Sequence, residues 1–414
     1  MYIFIIIFTL PFWAKYLFKK EYRSILKYRL SPDIKYSDKK RLWIHAVSVG
    51  EVRSLKNLIK KLNEKYKRKE IILSVTTPAG YEFALQQYKK IKIINAPLDF
   101  SFTIKKFIKK INPELLILNE LEIWPNWISI TKERKIPILL INGRISDAAF
   151  KRYKRCAFLL KAFFNKIDRF LVQADLYKER FQHLNIPGEK IAVCGNIKAD
   201  EAFNALEHLP PDREILNFLK IGKNANKEKK IVTIASSHLS DEKLVIPIIN
   251  TLCQDFLFII APRHLTRVEE IEKLLKHHQV TFSIWSKTSG TNTWQNVLIF
   301  DRMGYLFNIL KITDIVFMGG TLEPKVGGHN LYEPAVMGKL IVGGPYYNNF
   351  PAIGRELAEK GIYHIINNSK ELSNFLLQIE KTNFKDIERD ALYSVTRRKG
   401  SIQFILKEIQ QFIN

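Results

Sequence analysis

Short apolar runs recur along the chain, each followed by a polar or amphipathic stretch, and the series runs twice. Leu42 to Val47, Glu70 to Val75, Leu115 to Leu118, Ile138 to Ile141 and Arg169 to Val172 make the first series. Lys230 to Ala235, Phe256 to Ala261, Val297 to Phe300, Ile315 to Met318 and Leu340 to Val342 make the second. Runs this short and this uniformly apolar are strands covered on both faces, so the pattern predicts parallel sheets wrapped by helices. A chain of 414 residues exceeds one comfortable core. Pro210 and Pro211, in the segment Glu207 to Asp212, mark a linker between two doubly wound, Rossmann-like α/β domains facing across a cleft. The expected limits are 21–207 and 208–395. Residues 396–414, with the helical run Ile402 to Ile413, form a last helix whose return to the first domain the sequence leaves open.

Charge is distributed unevenly. Residues 1–200 carry 40 Lys and Arg against 18 Asp and Glu, and the remainder 26 against 23, so nearly all of the net +25 lies in the first half. A strongly anionic ligand or surface is therefore expected to meet the first domain. The apolar run Met1 to Ala14 precedes Lys15, Lys19 and Lys20, with no basic region before it and no small-residue cleavage site after it. That order predicts a membrane anchor or interfacial helix over 1–20 that keeps the body of the protein on the cytoplasmic side, rather than a cleaved signal peptide. Lys151-Arg152 and Lys154-Arg155 flank Tyr153 and precede the apolar stretch Ala157 to Leu160. This mixture favours a lipid surface over nucleic acid. Cys156, Cys194 and Cys253 are far apart, which argues against a disulfide framework or structural zinc.

The residues that carry chemistry stand at the carboxyl ends of the expected strands. After Ile315 to Met318 comes Gly319-Gly320, then Gly327-Gly328-His329-Asn330-Leu331-Tyr332-Glu333. Paired glycines let backbone N–H groups approach an anion, and Glu333 suits ribose hydroxyls, so a sugar phosphate is the expected ligand. The run matches neither the Walker loop nor the dinucleotide fingerprint. Ser48-Val49-Gly50-Glu51 follows the first strand; Gly50 frees the turn, and Glu51 is either a base aimed at the ligand or a carboxylate that complements a helix start. Glu120 and Glu122 follow the third strand and share a face if the backbone there is extended; neighbouring carboxylates in a partly apolar site acquire raised pKa values. Arg144 and Arg263 offer forked donors to phosphate or carboxylate. Ser236-Ser237-His238 lacks a nucleophile elbow, which points to phosphate or loop hydrogen bonding rather than hydrolysis. No Asp-x-Asp or histidine cluster accompanies these carboxylates, so no catalytic metal is expected.

Taken together, four motifs in order resemble the lipid A Kdo (3-deoxy-D-manno-octulosonic acid) transferases of Gram-negative bacteria over nearly the whole chain: His45 to Glu51, Glu120 to Asn126, Pro262-Arg263 with Met303-Gly304-Tyr305, and Asn330 to Glu333. The resemblance implies a GT-B type glycosyltransferase that needs no cofactor. Glu51 would be general base and Glu120 its supporting partner at the acceptor side. Pro262, Arg263, Met303, Gly304, Tyr305, Gly327, Gly328, His329, Asn330, Leu331, Tyr332 and Glu333 would bind the CMP-Kdo donor. Ser48, Gly50, Arg144, Ser236 and Ser237 are further candidates for acceptor or phosphate contacts. The implied partners are CMP-Kdo, a phosphorylated lipid A precursor and the anionic cytoplasmic face of the inner membrane, with no nucleic acid. This chain departs from the family at Tyr305, where an acidic residue is common, and at Ala235-Ser236-Ser237-His238, where Gly-Ser-Thr-His is usual. Another inverting nucleotide-sugar transferase acting on glycolipids is the alternative, and a non-enzymatic basic membrane- or nucleic-acid-binding module the remote one. The resemblance also admits transfer of more than one Kdo in succession.

Overall fold

A computed structural model of the chain describes residues 23–207, 217–218, 229–288 and 295–413. The expected membrane segment 1–20 and the linker prolines at 210 and 211 lie outside the described residues. Among the described residues no helix is long and apolar enough to cross a membrane. Two compact units divide the chain: residues 1–197 together with 400–414, and residues 198–399.

The first unit is built on one parallel sheet of seven strands: β1 (Arg41–Ala46), β2 (Glu70–Val75), β3 (Lys92–Asn95), β4 (Pro113–Asn119), β5 (Ile138–Gly143), β6 (Arg169–Val172) and β7 (Ile191–Val193). They lie in the order β3-β2-β1-β4-β5-β6-β7, every pair parallel. Alternation along β1 divides two cores. Trp43 faces one with Leu116, Ile138 and Phe170, while Leu42, Ile44 and Ala46 face the other with Ile117 and Ile141. All six residues of β1 are buried, the signature of a strand covered on both sides.

The second core also takes in the end of the chain. The helix Ser401–Gln410 sets Ile402, Ile405, Leu406 and Ile409 among Leu58, Ile59 and Leu62 of the helix Lys56–Lys65. Glu408, nearly buried, accepts from Arg169 Nε at 2.8 Å and Nη2 at 3.3 Å. The last helix is thus part of the first unit.

In the second unit β8 (Lys230–Ser237), β9 (Phe256–Pro262), β10 (Phe282–Ile284), β11 (Val297–Ile299), β12 (Ile315–Met318), β13 (Leu340–Gly343) and β14 (Tyr363–Ile365) form another parallel sheet, in the order β10-β11-β9-β8-β12-β13-β14. Each sheet has one place where neighbouring strands send their connections in opposite directions: between β1 and β4 in the first unit, and between β8 and β12 in the second. The carboxyl ends of such a pair open a crevice where ligands of α/β sheets bind. Four strands, β3, β7, β10 and β14, have no counterpart in the sequence reading, and all four are sheet edges of three or four residues. Edge strands are covered less and need fewer apolar residues, so their sequence signal is weak.

Ile405 is fully buried against the first sheet. Ile405→Ala should therefore lower the stability of the first unit by roughly 2–5 kcal/mol, read from faster hydrogen exchange of β1 amides, with the amides of β8 unchanged.

Candidate active site

At the β1/β4 switch point the chain leaves β1 through Val47 and Ser48 and enters the helix Val49–Ser54. Ser48 caps that helix: its hydroxyl accepts from the Glu51 N–H at 3.4 Å and donates to Glu51 Oε1 at 3.1 Å. The Val47 N–H donates to Oε2 of the same carboxylate at 2.9 Å. Glu51 therefore turns back over the end of β1, in a variant of the reciprocal capping arrangement. Gly50 is not the glycine this loop requires, contrary to expectation, since a Cβ there would meet only Ser48 Oγ, at 3.9 Å. Gly80 is, because a Cβ would lie 2.8 Å from Thr77 Oγ1, 2.9 Å from Val75 Cγ1 and 3.2 Å from the Ser48 carbonyl carbon.

Beyond β4 the backbone turns through a left-handed residue, Glu120, with φ at 62°. The extended backbone considered for Glu120 to Glu122 is not what forms. A non-glycine residue held at positive φ stores strain that surrounding contacts must hold, and Glu120 is held twice. Its N–H donates to the Ile141 carbonyl at 2.9 Å and its Oε2 accepts from Arg144 Nε at 2.9 Å. Glu122 accepts from Trp124 Nε1 at 2.8 Å. The helix that follows, Pro125–Glu133, is capped from a distance by Asp99, which accepts from the N–H groups of Asn126 at 3.2 Å and Trp127 at 2.7 Å.

Glu51, Glu120 and Glu122 lie within electrostatic reach of one another in a partly buried place, and the acidities of Glu51 and Glu122 respond. Burial, reinforced by the charge of Glu120, pushes Glu51 up to about 7; the Val47 and Ser48 hydrogen bonds and Arg144 oppose it. Burial followed by the charge of Glu51 lifts Glu122 to about 8. Burial lifts Asp99 to about 7 against its backbone hydrogen bonds. A carboxylate titrating near neutrality, fixed by two donors and flanked by an ion pair, is built to accept a proton from a ligand hydroxyl.

The β8/β12 switch point of the second unit carries polar groups of the opposite character. Asp241, fully buried, accepts from the N–H groups of His238 and Gly320, both at 2.8 Å, and so ties the loop after β8 to the loop after β12. The two loops touch so closely that a Cβ on Gly319 would lie 2.3 Å from the Ser236 carbonyl oxygen. Ser236 itself has φ at 56°. Gly327 and Gly328 both have positive φ, and Asn349 Nδ2 donates to the Val326 carbonyl at 2.7 Å and the Gly328 carbonyl at 3.0 Å, closing the glycine loop. His329 returns over Gly320, where its Nε2 meets that of His238 at 2.8 Å. Glu333 stands in the first turn of the helix Tyr332–Val336 and accepts from Asn330 Nδ2 at 3.1 Å.

Not every expected donor contact points outward. Leu331 and Tyr332 are buried in the core, so their side chains are not offered to a ligand, and the Tyr332 N–H donates to Asn330 Oδ1 at 3.2 Å. Ser237 is fully buried and its hydroxyl donates to Glu242 Oε1 at 2.8 Å, within the ion pair that Glu242 makes with Arg267. The phosphate contact expected of this hydroxyl is therefore corrected: it is an internal brace. Pro262 is buried at the end of β9, and the Arg263 N–H donates to the Ser237 carbonyl at 3.1 Å, which fixes where that arginine leaves the sheet. The turn at Met303-Gly304 is exposed, Gly304 has φ at 91°, and the Arg302 guanidinium lies 4.5 Å from the Tyr305 ring centroid. Sequence reading passed over Asp99, Asp241, Asn349 and Gly80. Asp241 alone left a legible trace, an acid three residues after a helix cap, whereas Asp99 and Asn349 act on distant segments.

A family model described as 3-Deoxy-D-manno-octulosonic-acid transferase (kdotransferase) matches residues 22–201. A bifunctional glycosyltransferase/methyltransferase of Fusobacterium nucleatum subsp. nucleatum is 34% identical over 92% of this chain, which spans 59% of that relative's length. A 3-deoxy-D-manno-octulosonic acid transferase of Chlamydia pneumoniae is 32% identical over 77% of this chain and 72% of its own. Among solved structures, UDP-GlcNAc 2-epimerase from Neisseria meningitidis bound to UDP-GlcNAc matches with a TM-score of 0.64 and 13% identity, covering 90% of this chain and 100% of that one, a likeness of fold. With motifs, sheets and relatives in agreement, the chain belongs to the 3-deoxy-D-manno-octulosonic acid transferase family.

Proposed function

We propose that this chain transfers Kdo, with inversion, from CMP-Kdo to a hydroxyl of a phosphorylated, acylated glucosamine disaccharide, the lipid A precursor, at the cytoplasmic face of the inner membrane. The observation that carries the reading is the Glu51 carboxylate, held by Val47 and Ser48 beside the Glu120–Arg144 pair and raised to about 7. Glu51 takes the proton of the acceptor hydroxyl as that oxygen forms its bond to the anomeric carbon of Kdo. The bond from that carbon to the phosphate oxygen breaks on the opposite side, and its electron pair leaves with CMP. No sugar is bound covalently to the protein, and the proton on Glu51 passes to solvent. Glu120 holds Arg144 and, through its charge, adds to the burial that raises Glu51. The second unit supplies the donor site, with Glu333 for ribose and Arg263 for phosphate, beside a glycine loop whose own N–H groups brace it through Asp241 and the Glu323 and Gly320 carbonyls.

The acceptor is amphiphilic and anionic, and the first unit has a surface to match. Phe158 is 89% exposed on the helix Ala157–Phe164, next to the exposed Lys151, Arg152, Lys154 and Arg155 of the preceding helix. Apolar and cationic side chains side by side suit the headgroup region of an anionic leaflet. Replacing those four basic residues by serine should reduce co-sedimentation with anionic vesicles at least about tenfold and leave CMP binding intact; unchanged sedimentation would move the membrane contact elsewhere.

Incubation with CMP-Kdo and tetra-acylated lipid A precursor, followed by CMP release and product mass, tests the reaction. Glu51→Gln should lower kcat by about 10²–10⁴ fold with CMP affinity kept; equal turnover would remove the assigned base. Protonated Glu51 cannot act as base, so kcat/KM should rise with pH through about 7. Two variants should move that limb in opposite directions. Arg144→Gln deletes a charge that lowers Glu51 and shifts the limb upward, while Glu120→Gln deletes one that raises it and shifts the limb downward. Shifts of the same sign would contradict the electrostatic reading.

A further inference from the structure

We propose that His238 and His329 act as one proton-sharing pair that receives the phosphate of the nucleotide sugar and takes up a single proton as phosphate charge arrives. The inference deepens the reading of the second unit as the donor site and rests on it.

The geometry limits how the pair can be protonated. A 2.8 Å contact between two Nε2 atoms requires a proton on one and a lone pair on the other. The accepting ring, when neutral, therefore carries its hydrogen at Nδ1, where it remains a donor. The pair can gain one proton and keep the contact; a second would place two N–H groups against each other. The rings lie nearly parallel, 5.1 Å between centroids and 10° between planes, so the contact is an ordered feature of both loops. Gly320 permits it. With φ at 71°, its backbone leaves room for the His329 ring, whose Cδ2 and Nε2 would each lie 3.3 Å from an added Cβ.

The location favours an anion. The pair joins the loops that follow β8 and β12, at the switch point of the sheet, beside the glycine loop. His264 lies edge-on to His238 at 6.2 Å. The charged and titratable groups bearing on His238 are Glu323, His264, Arg267 and Arg263, and those on His329 are Arg263 and the other two histidines. Asp241 meets His238 at the backbone and is occupied there and at Gly320. Glu323, which accepts from Ser240 at 2.6 Å, is thus the carboxylate that opposes a mostly cationic surrounding. Burial and these cations press both rings toward the neutral form, His329 to about 3. A phosphate anion, singly charged in the diester of the nucleotide sugar and doubly charged as CMP leaves, reverses the balance, because its charge offsets the cations around the pair and its oxygens accept from the donors present. A sugar hydroxyl would do neither. In the reaction, the bond between the anomeric carbon and the phosphate oxygen breaks, the electron pair passes to that oxygen, and the pair's proton is shared with the phosphate whose charge has grown.

Calorimetric titration of the full chain at about pH 7.5, in buffers of different ionisation enthalpy, measures the protons exchanged on binding. CMP, UMP, inorganic phosphate and cytidine are the probes. CMP should bind with uptake approaching one proton and cytidine with none. His329→Gln and His238→Gln should each abolish most of the uptake and weaken CMP at least tenfold, while cytidine affinity stays the same. CMP binding to the wild-type chain without proton uptake overturns the proposal with no variant needed, as does uptake that survives in both variants. UMP binding with uptake that the histidine variants lose would uphold the pair and refute the CMP-sugar reading. CMP binding without uptake would leave that reading standing and refute the pair. No binding of any phosphate-bearing probe would refute both.

Discussion

The Glu51 carboxylate is fixed by the same groups that start its helix, and much of the first unit follows from that double use. Val47 donates its N–H and Ser48 its hydroxyl, both because β1 ends where it does and the next residues turn into a helix. A helix start ordinarily welcomes a carboxylate and keeps it ionised. Here burial and the adjacent Glu120 work against that tendency and hold Glu51 near neutrality instead. Structural capping and general base catalysis are often treated as competing readings of such a residue. In this chain one arrangement accommodates both, since the cap supplies the position while burial, with the charge of Glu120 second, raises the carboxyl's hold on a proton.

The second unit solves a related problem with opposite charge. Its loops must hold basic rings and glycine backbone close together without collapsing on themselves. Asp241 does the tying from beneath, through two backbone N–H groups rather than through the residues above it. Its carboxylate is pushed up to about 7 by burial, so it holds the loops without competing fully as an anion for the cationic groups. Gly319 then lets the segment after β12 come up against Ser236, and Gly320 lets His329 fold back within its own loop. Both units thus place their polar groups at the switch point of a parallel sheet, where the fold leaves a crevice without any residue being spent on making one.

Much of this was legible in the chain because central parallel strands are apolar throughout. All ten strands read from the sequence are present, from β1 with six buried residues to β13 with four. The four that went unread are edges, whose half-covered residues do not stand out from loops. At the site, Glu51, Glu120 and Arg144 fall at strand ends, and His329 and Glu333 in the glycine-rich stretch after β12, where sequence order already places them. What could not be read was conformation and distant pairing. Glu120 takes a left-handed backbone that nothing in its own residue type favours, and Asp99 caps a helix 27 residues away. Ser237 shows the converse error: its position at a strand end suggested a ligand contact, but its side chain lies on the inward face and serves Glu242. Alternation along a strand decides such cases, and at a strand's last residue the alternation is hardest to follow.

Carbon-13 NMR of glutamate-labelled protein, titrated across pH with Glu51 assigned by its absence in the Glu51→Gln spectrum, tests the central claim most directly. An inflection for Glu51 near 7 is the result this arrangement requires. An inflection in the ordinary glutamate range would mean that burial and Glu120 do not outweigh the capping donors, and that Glu51 is a helix cap alone.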